Sequence, residues 1–298
     1  LFYYTFNVEK SKEADGLFSI SNEIAYNNMG QHFSVELIDS KGDPVAGGEV
    51  AVRQSNTYVV YGTTDANGNV EALLPFIGST KFRMSLHGGA VYKFKNINAP
   101  RYIEFQTKAV TAELNNSTGS NLSATFEFKA GGPGASLGWQ TFGSGIADTL
   151  ATMEMLGTNY KFKVKYTGAV YQTAQNVGND TALIFSTIEA SMAVEGSTGI
   201  PLAGGIAKYL NKDTGYELFG TGTTPSTMEL LPAKYLFKLR YNGIVNYKVQ
   251  NLDTNTVVLV VIGTPSKAHL LYGTETLEGV TMEMYPNPFS EFTNFTFK

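Results

Sequence analysis

Asp65-Ala-Asn-Gly-Asn69 sets oxygen-bearing side chains at alternate positions, which is how a calcium loop opens. The glycine falls at the fourth place instead of the sixth, and no glutamate follows at the twelfth. The run therefore reads as a tight Asn-Gly turn, with calcium as the lesser alternative. His32, His87 and His269 are isolated from one another and lack the spacing of a metal pair; His87 reads as a turn residue. No Gly-x-Ser-x-Gly elbow, zinc-protease helix or phosphate-binding loop occurs, and Gly131-Gly-Pro-Gly134 precedes no lysine. The acidic residues are scattered, with none set apart as a catalytic pair. Trp139 is the residue best suited to bind something, because a ring in a turn-rich stretch offers a flat face for a pyranose. Tyr58, Tyr61 and Tyr216 lie in similar surroundings. The competing reading for each is a core or cross-strand ring. Together these residues predict a chain that is not an enzyme and holds no cofactor or metal.

The composition points to strands as the scaffold. Charged residues are only 16% of the 298, while Gly (31), Tyr (17) and Phe (19) are abundant, which suits pleated surfaces and tight turns. The 43% of hydrophobic residues is enough for real cores. With no cysteine, disulfide staples and thiolate metal sites are excluded. Twenty-two Lys and Arg face 26 Asp and Glu for a net charge of −4, interspersed along the chain. No basic stripe stands out, so nucleic acid is not an expected partner. The longest apolar run, ending in Val257-Val-Leu-Val-Val-Ile262, has strand length, and no membrane span is expected. The chain begins at Leu1 with no signal peptide in view, as a trimmed piece of a longer precursor would.

One unit recurs three times. Lys81-Phe-Arg-Met-Ser-Leu-His-Gly-Gly-Ala-Val-Tyr92 matches Lys161-Phe-Lys-Val-Lys-Tyr-Thr-Gly-Ala-Val-Tyr171 and Leu236-Phe-Lys-Leu-Arg-Tyr-Asn-Gly-Ile-Val-Asn-Tyr247, at spacings of 80 and 75 residues. Upstream lie Tyr61-Gly62, Phe142-Gly143 and Phe219-Gly220. Between these landmarks stand Ala72-Leu-Leu-Pro75, Met153-Glu-Met-Leu156 and Met228-Glu-Leu-Leu-Pro232. Downstream lie Ile103-Glu-Phe-Gln-Thr107, Leu183-Ile-Phe-Ser-Thr187 and Leu259-Val-Val-Ile262. Apolar and polar residues alternate in Phe82–Leu86 and Phe237–Tyr241, the period of a strand with one buried face. A hairpin is expected at each following glycine, most strongly at Asn242-Gly243.

The expected architecture is all-β, three tandem β-sandwiches of about seven strands each. The expected boundaries are an N-terminal segment at 1–31, repeats at 32–107, 108–187 and 188–264, and a linker with the start of a C-terminal domain at 265–298. Junctions as short as Thr107-Lys108 and Thr187-Ile188 predict that one unit runs almost directly into the next, giving a stiff array.

The triplicated unit resembles the immunoglobulin-like or prealbumin-like tandem repeats of large bacterial surface and secreted proteins. The resemblance rests on Asp39-Ser-Lys-Gly-Asp-Pro-Val45, Gly62-Thr-Thr-Asp-Ala-Asn-Gly68, Gly138-Trp-Gln-Thr-Phe-Gly143, Leu230-Leu-Pro-Ala-Lys-Tyr-Leu-Phe237 and Tyr241-Asn-Gly243, and covers about three quarters of the chain. The second copy departs from it, with Thr118-Gly-Ser-Asn-Leu122 where the early Gly-Pro turn belongs. The end is more specific. Tyr285, Pro286, Asn287, Pro288 and Phe289, followed by Phe295-Thr-Phe297, resemble the opening of the C-terminal sorting domain of type IX secretion in Bacteroidota. That likeness implies export by the type IX secretion machinery to the outer-membrane surface or the medium. Asp148-Thr-Leu150 and Asp180-Thr-Ala182 resemble the O-glycosylation sequon of Bacteroidota exported proteins, with Thr149 and Thr181 as the acceptors.

The function these features predict is a non-catalytic stalk or adhesin at the cell surface, with surface polysaccharide or another surface protein as partner. The alternative is the C-terminal accessory region, carbohydrate-binding or not, of a secreted polymer-degrading enzyme. Leu1-Phe-Tyr-Tyr-Thr-Phe-Asn-Val8 reads as a strand left from a preceding domain; filament assembly by strand addition is the lesser reading.

Overall fold

Strict in–out alternation produces the central strands of every copy. In the computed structural model, which describes residues 31–74, 79–96, 102–131, 137–262, 282–284 and 295–297, the first repeat holds β1 (Gln31–Ile38), β2 (Glu49–Gln54), β3 (Thr57–Thr63), β4 (Asn69–Leu74), β5 (Ser79–Leu86) and β6 (Gly89–Asn96). β7 (Tyr102–Asn115) closes it. The second repeat continues with β8 (Asn121–Leu122), β9 (Thr125–Ala130), β10 (Gln140–Thr141), β11 (Ala151–Leu156), β12 (Asn159–Tyr166), β13 (Ala169–Asn176) and β14 (Ala182–Ser186). The third holds β15 (Ile188–Gly196), β16 (Pro201–Leu202), β17 (Ile206–Asn211), β18 (Gly215–Thr223), β19 (Ser226–Leu230), β20 (Lys234–Tyr241), β21 (Ile244–Asn251) and β22 (Val257–Ile262). β23 (Met282–Met284) and β24 (Phe295–Phe297) pair with each other. The chain is all-β, in tandem sandwiches. Among the described residues no helix is long and apolar enough to cross a membrane.

Each repeat packs a four-stranded antiparallel sheet against a mixed one, and the mixed layers of the first two repeats join through β7 into one six-stranded sheet. The four-stranded sheets run β3-β2-β5-β6, β10-β9-β12-β13 and β18-β17-β20-β21. In the opposing sheets β1 pairs antiparallel with β4 and parallel with β7, and β15 does the same with β19 and β22. Between the layers lie Phe33 stacked on Phe82 at 4.8 Å, Phe142 edge-on to Phe162 at 5.9 Å and Phe219 edge-on to Phe237 at 5.7 Å. All six rings are buried. Phe82, Phe162 and Phe237 hold one place in each core, but the ring they meet comes from β1 in the first repeat and from the Phe-Gly landmark in the other two.

The three central hairpins close with two residues at positive φ, which matches the twist of the strands. The pairs are His87 and Gly88 (φ 52° and 77°), Thr167 and Gly168 (47° and 70°), and Asn242 and Gly243 (46° and 80°). The early turn of the second repeat forms without its proline. Asn116 Oδ1 accepts from the Thr118 and Ser120 amides at 3.1 and 2.7 Å, as Asp39 Oδ1 does from Lys41 and Asp43 at 2.8 and 2.9 Å. The same Asx turn closes both repeats, with or without the proline.

Candidate functional site

The units are joined by a construction that appears twice. β7 is one strand serving two repeats: residues 102–106 pair with β1 of the first, and residues 107–112 pair with β11 of the second. Its buried positions are Ile103, Phe105 and Thr107, then Val110, Ala112 and Leu114. The inward face changes from odd to even numbers across Lys108-Ala109, so the strand rotates its buried side as it changes domain. Leu183, Phe185 and Thr187, then Ala190, Met192 and Val194, make the same change at the next boundary.

A carboxylate bolts each joint. Glu154 on β11 accepts from the Ser40 hydroxyl at 2.5 Å, from the Ser40 amide at 3.2 Å and from the buried Thr107 hydroxyl. Glu229 on β19 accepts from the Ser117 amide at 3.2 Å and from the Ser117 and Thr187 hydroxyls. The serines sit in the turns held by Asp39 and Asn116, so the carboxylate reaches a preorganised donor pair. Bonds to an ionised acceptor are roughly twice as strong as neutral ones. Next to each carboxylate an apolar plug seats itself. Leu156 is fully buried within the first repeat's core, and Leu231 lies in the cluster that runs continuously through the second and third repeats. The spacing of Glu154 and Glu229 within the repeat is visible in sequence, but their role is not. The available signal was a charged residue kept between apolar ones together with a Ser and a Thr that also recur.

The hairpin tips lean on the following unit. His87 sets its ring edge-on to Phe128 at 6.1 Å, and Gln140 donates to the His87 carbonyl at 3.4 Å. A Cβ on Gly168 would stand 1.8 Å from Asn211 Oδ1, so that tip touches the third repeat. A Cβ on Gly243 would meet nothing within 4 Å. Burial holds the half-buried His87 imidazole below its usual pKa of 6.5. The sign follows: above 6.5 docked and undocked tips are both neutral, and below it the undocked ring takes up a proton that the docked ring resists. Docking of the first tip should weaken as pH falls through 6.5. A His87→Asn variant, which copies the third repeat, should lose that acid component in thermal melts at pH 5.5 and 7.5.

The outer faces of the four-stranded sheets carry rings and cations. Trp139 is half-buried with Lys163 Nζ 4.3 Å and Lys129 Nζ 4.8 Å from its ring centroid. By strand register Tyr58 and Tyr216 hold the equivalent places, with Arg83 Cζ at 5.1 Å and Lys238 Nζ at 5.2 Å. Tyr92 and Tyr247 flank the same cations from the other side, 5.7 Å from Tyr58 and 6.3 Å from Tyr216. A sugar stacking on Trp139 would have to displace an ammonium from the ring. Tyr61 accepts a hydrogen bond from Gln54 at 2.7 Å and packs against the first core.

The layers are also sorted by charge. On the first four-stranded face stand Arg53, Lys81 and Arg83 with Glu49; on the second Lys129, Lys161, Lys163 and Lys165 with Glu127; on the third Lys208, Lys234, Lys238 and Arg240. The outer faces of the opposing sheets carry Glu36, Glu71 and Glu104, then Glu113 and Glu154, then Glu189, Glu195 and Glu229. Eleven of the chain's 22 basic residues therefore share three faces with two of its 26 acidic ones. Interspersion in sequence does not carry over into space. Alternation sends Lys161, Lys163 and Lys165 to one side of β12 while Phe162 and Val164 go to the other. The scatter of charge along the chain is therefore no ground for discounting a polyanionic partner.

No family model matches the chain, and no curated protein matches it. Among solved structures it is similar to the Bacillus anthracis TIE protein at 14% identity, over 79% of this chain and 50% of that one, with a TM-score of 0.26. It thus spans half the length of that protein. BcpA, the major pilin subunit of Bacillus cereus, aligns at 9% identity over 78% of this chain and 98% of that one (TM-score 0.22). A streptococcal ancillary pilin aligns at 11% over 80% and 100% (TM-score 0.23). At these scores no activity or partner is transferred from them.

The other sequence-derived residues fall apart in space. Thr149 is exposed in the loop before β11, its amide donating to Asp148 Oδ1 at 2.7 Å. Thr181 is half-buried before β14, and its carbonyl accepts from the Thr111 amide at 2.9 Å. The two flank β7 on opposite neighbouring strands, away from Trp139. Asp65 Oδ1 accepts from the Asn67 and Asn69 amides, both at 2.9 Å, which is the geometry of an Asx turn. Among the described residues no cluster of three metal-ligating side chains forms. Tyr285, Pro286, Asn287, Pro288 and Phe289, His269 and the segment 1–30 lie outside the described residues.

Proposed function

We propose that this chain is a non-catalytic structural and adhesive region of a secreted or cell-surface bacterial protein, a stalk built of sandwiches that cannot swing. The observation that carries the reading is the joint. A shared or abutting strand, a triply engaged carboxylate and a buried leucine are set down twice, at both boundaries. A linker that only connected domains would need none of these, whereas each of them opposes bending. Export through the type IX machinery by way of Tyr285–Phe289, and O-glycosylation at Thr149 and Thr181, belong to the same proposal and rest on sequence likeness.

The native chain has no cysteine, so paired cysteines introduced at exposed Asn56 and Asp253 label cleanly. Double electron–electron resonance should give one narrow distance distribution, broadened when Leu156 and Leu231 are both replaced by alanine. A broad distribution in the parent chain would refute the stalk.

A further inference from the structure

We propose that the outer face of each four-stranded sheet is a binding surface for an anionic polysaccharide, a chain whose carboxylate or sulfate groups are spaced by sugar rings. This names a partner class for the adhesive role above and depends on that reading only for its setting.

The faces have the two things such a ligand needs. The first is unspent positive charge. The three ion pairs among the described residues, Arg83–Glu49, Lys163–Glu127 and Lys165–Glu127, all lie here, and together they use both acids of these faces. The remaining eight cations have no ion-pair partner among the described residues, on a protein whose net charge is −4. Concentrating cations on a face raises the local density of a mobile anion. The second is exposed ring and aliphatic surface between those cations. Phe94 is 70% exposed beside Lys81, Tyr247 58% beside Lys238, and Leu218 55% beside Tyr216. In the first repeat Phe94 lines a shallow groove of about 540 Å³ together with two cations (Arg53 and Lys81), the Gln54 amide and three hydroxyl-bearing residues.

The alternation of charge with apolar surface favours a glycan. A sugar polymer offers apolar ring faces to Phe94 and Tyr247, which stay more exposed than Trp139 although Lys81 and Lys238 also stand over them, and acid groups to the lysines between them. The opposite layer, with its glutamates, keeps the ligand to one side of each sandwich.

The test uses the whole chain with polygalacturonate and chondroitin sulfate as probes and dextran as the neutral control, read by affinity electrophoresis and calorimetry. Both acidic glycans should bind and dextran should not, with affinity falling at least about tenfold between 50 and 300 mM NaCl as screening shortens the reach of the exposed cations. Arg53→Gln, Lys161→Gln, Lys234→Gln and Arg240→Gln combined should cost about tenfold or more. These four are exposed, so the melting point should hold. Phe94→Ser with Tyr247→Ser should weaken binding without changing its salt dependence. Equal retention of dextran, or indifference to the four charge changes, would overturn the proposal. So would tighter binding of single-stranded DNA that ignores the two ring substitutions. Salt-sensitive self-association with no glycan bound would also overturn it, by assigning the basic faces to the acidic faces of a second copy. Because none of these variants touches Glu154, Glu229, Leu156 or Leu231, spin-label distances stay narrow whatever the glycan result, and the stalk is judged separately.

Discussion

Leu156→Ala is expected to lower the stability of the joined first and second repeats by about 2–5 kcal/mol, the range for emptying a fully buried leucine site. Leu156 has no exposed surface and belongs to the core of the repeat before its own. The cavity would therefore open at the seam, where two rigid sheets have little freedom to collapse on it. Calorimetry should show the first repeat melting as a separate, earlier transition in place of one joint event. Leu150→Ala is the control, because Leu150 is 49% exposed on the same stretch and should stay within about 0.5 kcal/mol of the parent. If the two variants melt alike, Leu156 does not hold the seam.

Glu154→Ala should cost about 1–3 kcal/mol, because the buried Thr107 hydroxyl loses its acceptor and cannot turn to water, while the exposed Ser40 donors can. Glu154→Gln keeps one acceptor oxygen and should cost about 1 kcal/mol. Glu229→Ala should behave the same way at the second joint. Amide hydrogen exchange gives the local reading: Ser40 in one variant and Ser117 in the other should lose protection while the amides of β5 and β20 keep theirs. A uniform rise in exchange would mean that the carboxylates serve general stability instead of the joint.

The repeated hairpins could be read in advance because their cause is local. Phe82-Arg-Met-Ser-Leu86 alternates, Asn242-Gly243 accepts left-handed backbone, and neither needs a distant partner. The early turn of the second repeat was less legible. Asn116 does there what Asp39 does in the first repeat, and without a nearby proline a side chain bonding its own backbone leaves a weak trace. Trp139 was singled out for the ring it could offer, but Lys129 and Lys163 stand over that ring. Lys129 lies ten residues before it and Lys163 is 24 residues after it, so only sheet register brings the three together.

By itself the sequence determined the class of structure and its threefold character, since a period of two and a glycine at a hairpin act over a few neighbouring residues. Tertiary structure alone decided what the copies do to one another. Glu154 meets Ser40 across 114 residues, and Lys163 and Lys238 come to stand over Trp139 and Tyr216, rings 24 and 22 residues earlier in the chain. Such contacts depend on which strands pair and in what register, and no local pattern of residues encodes that.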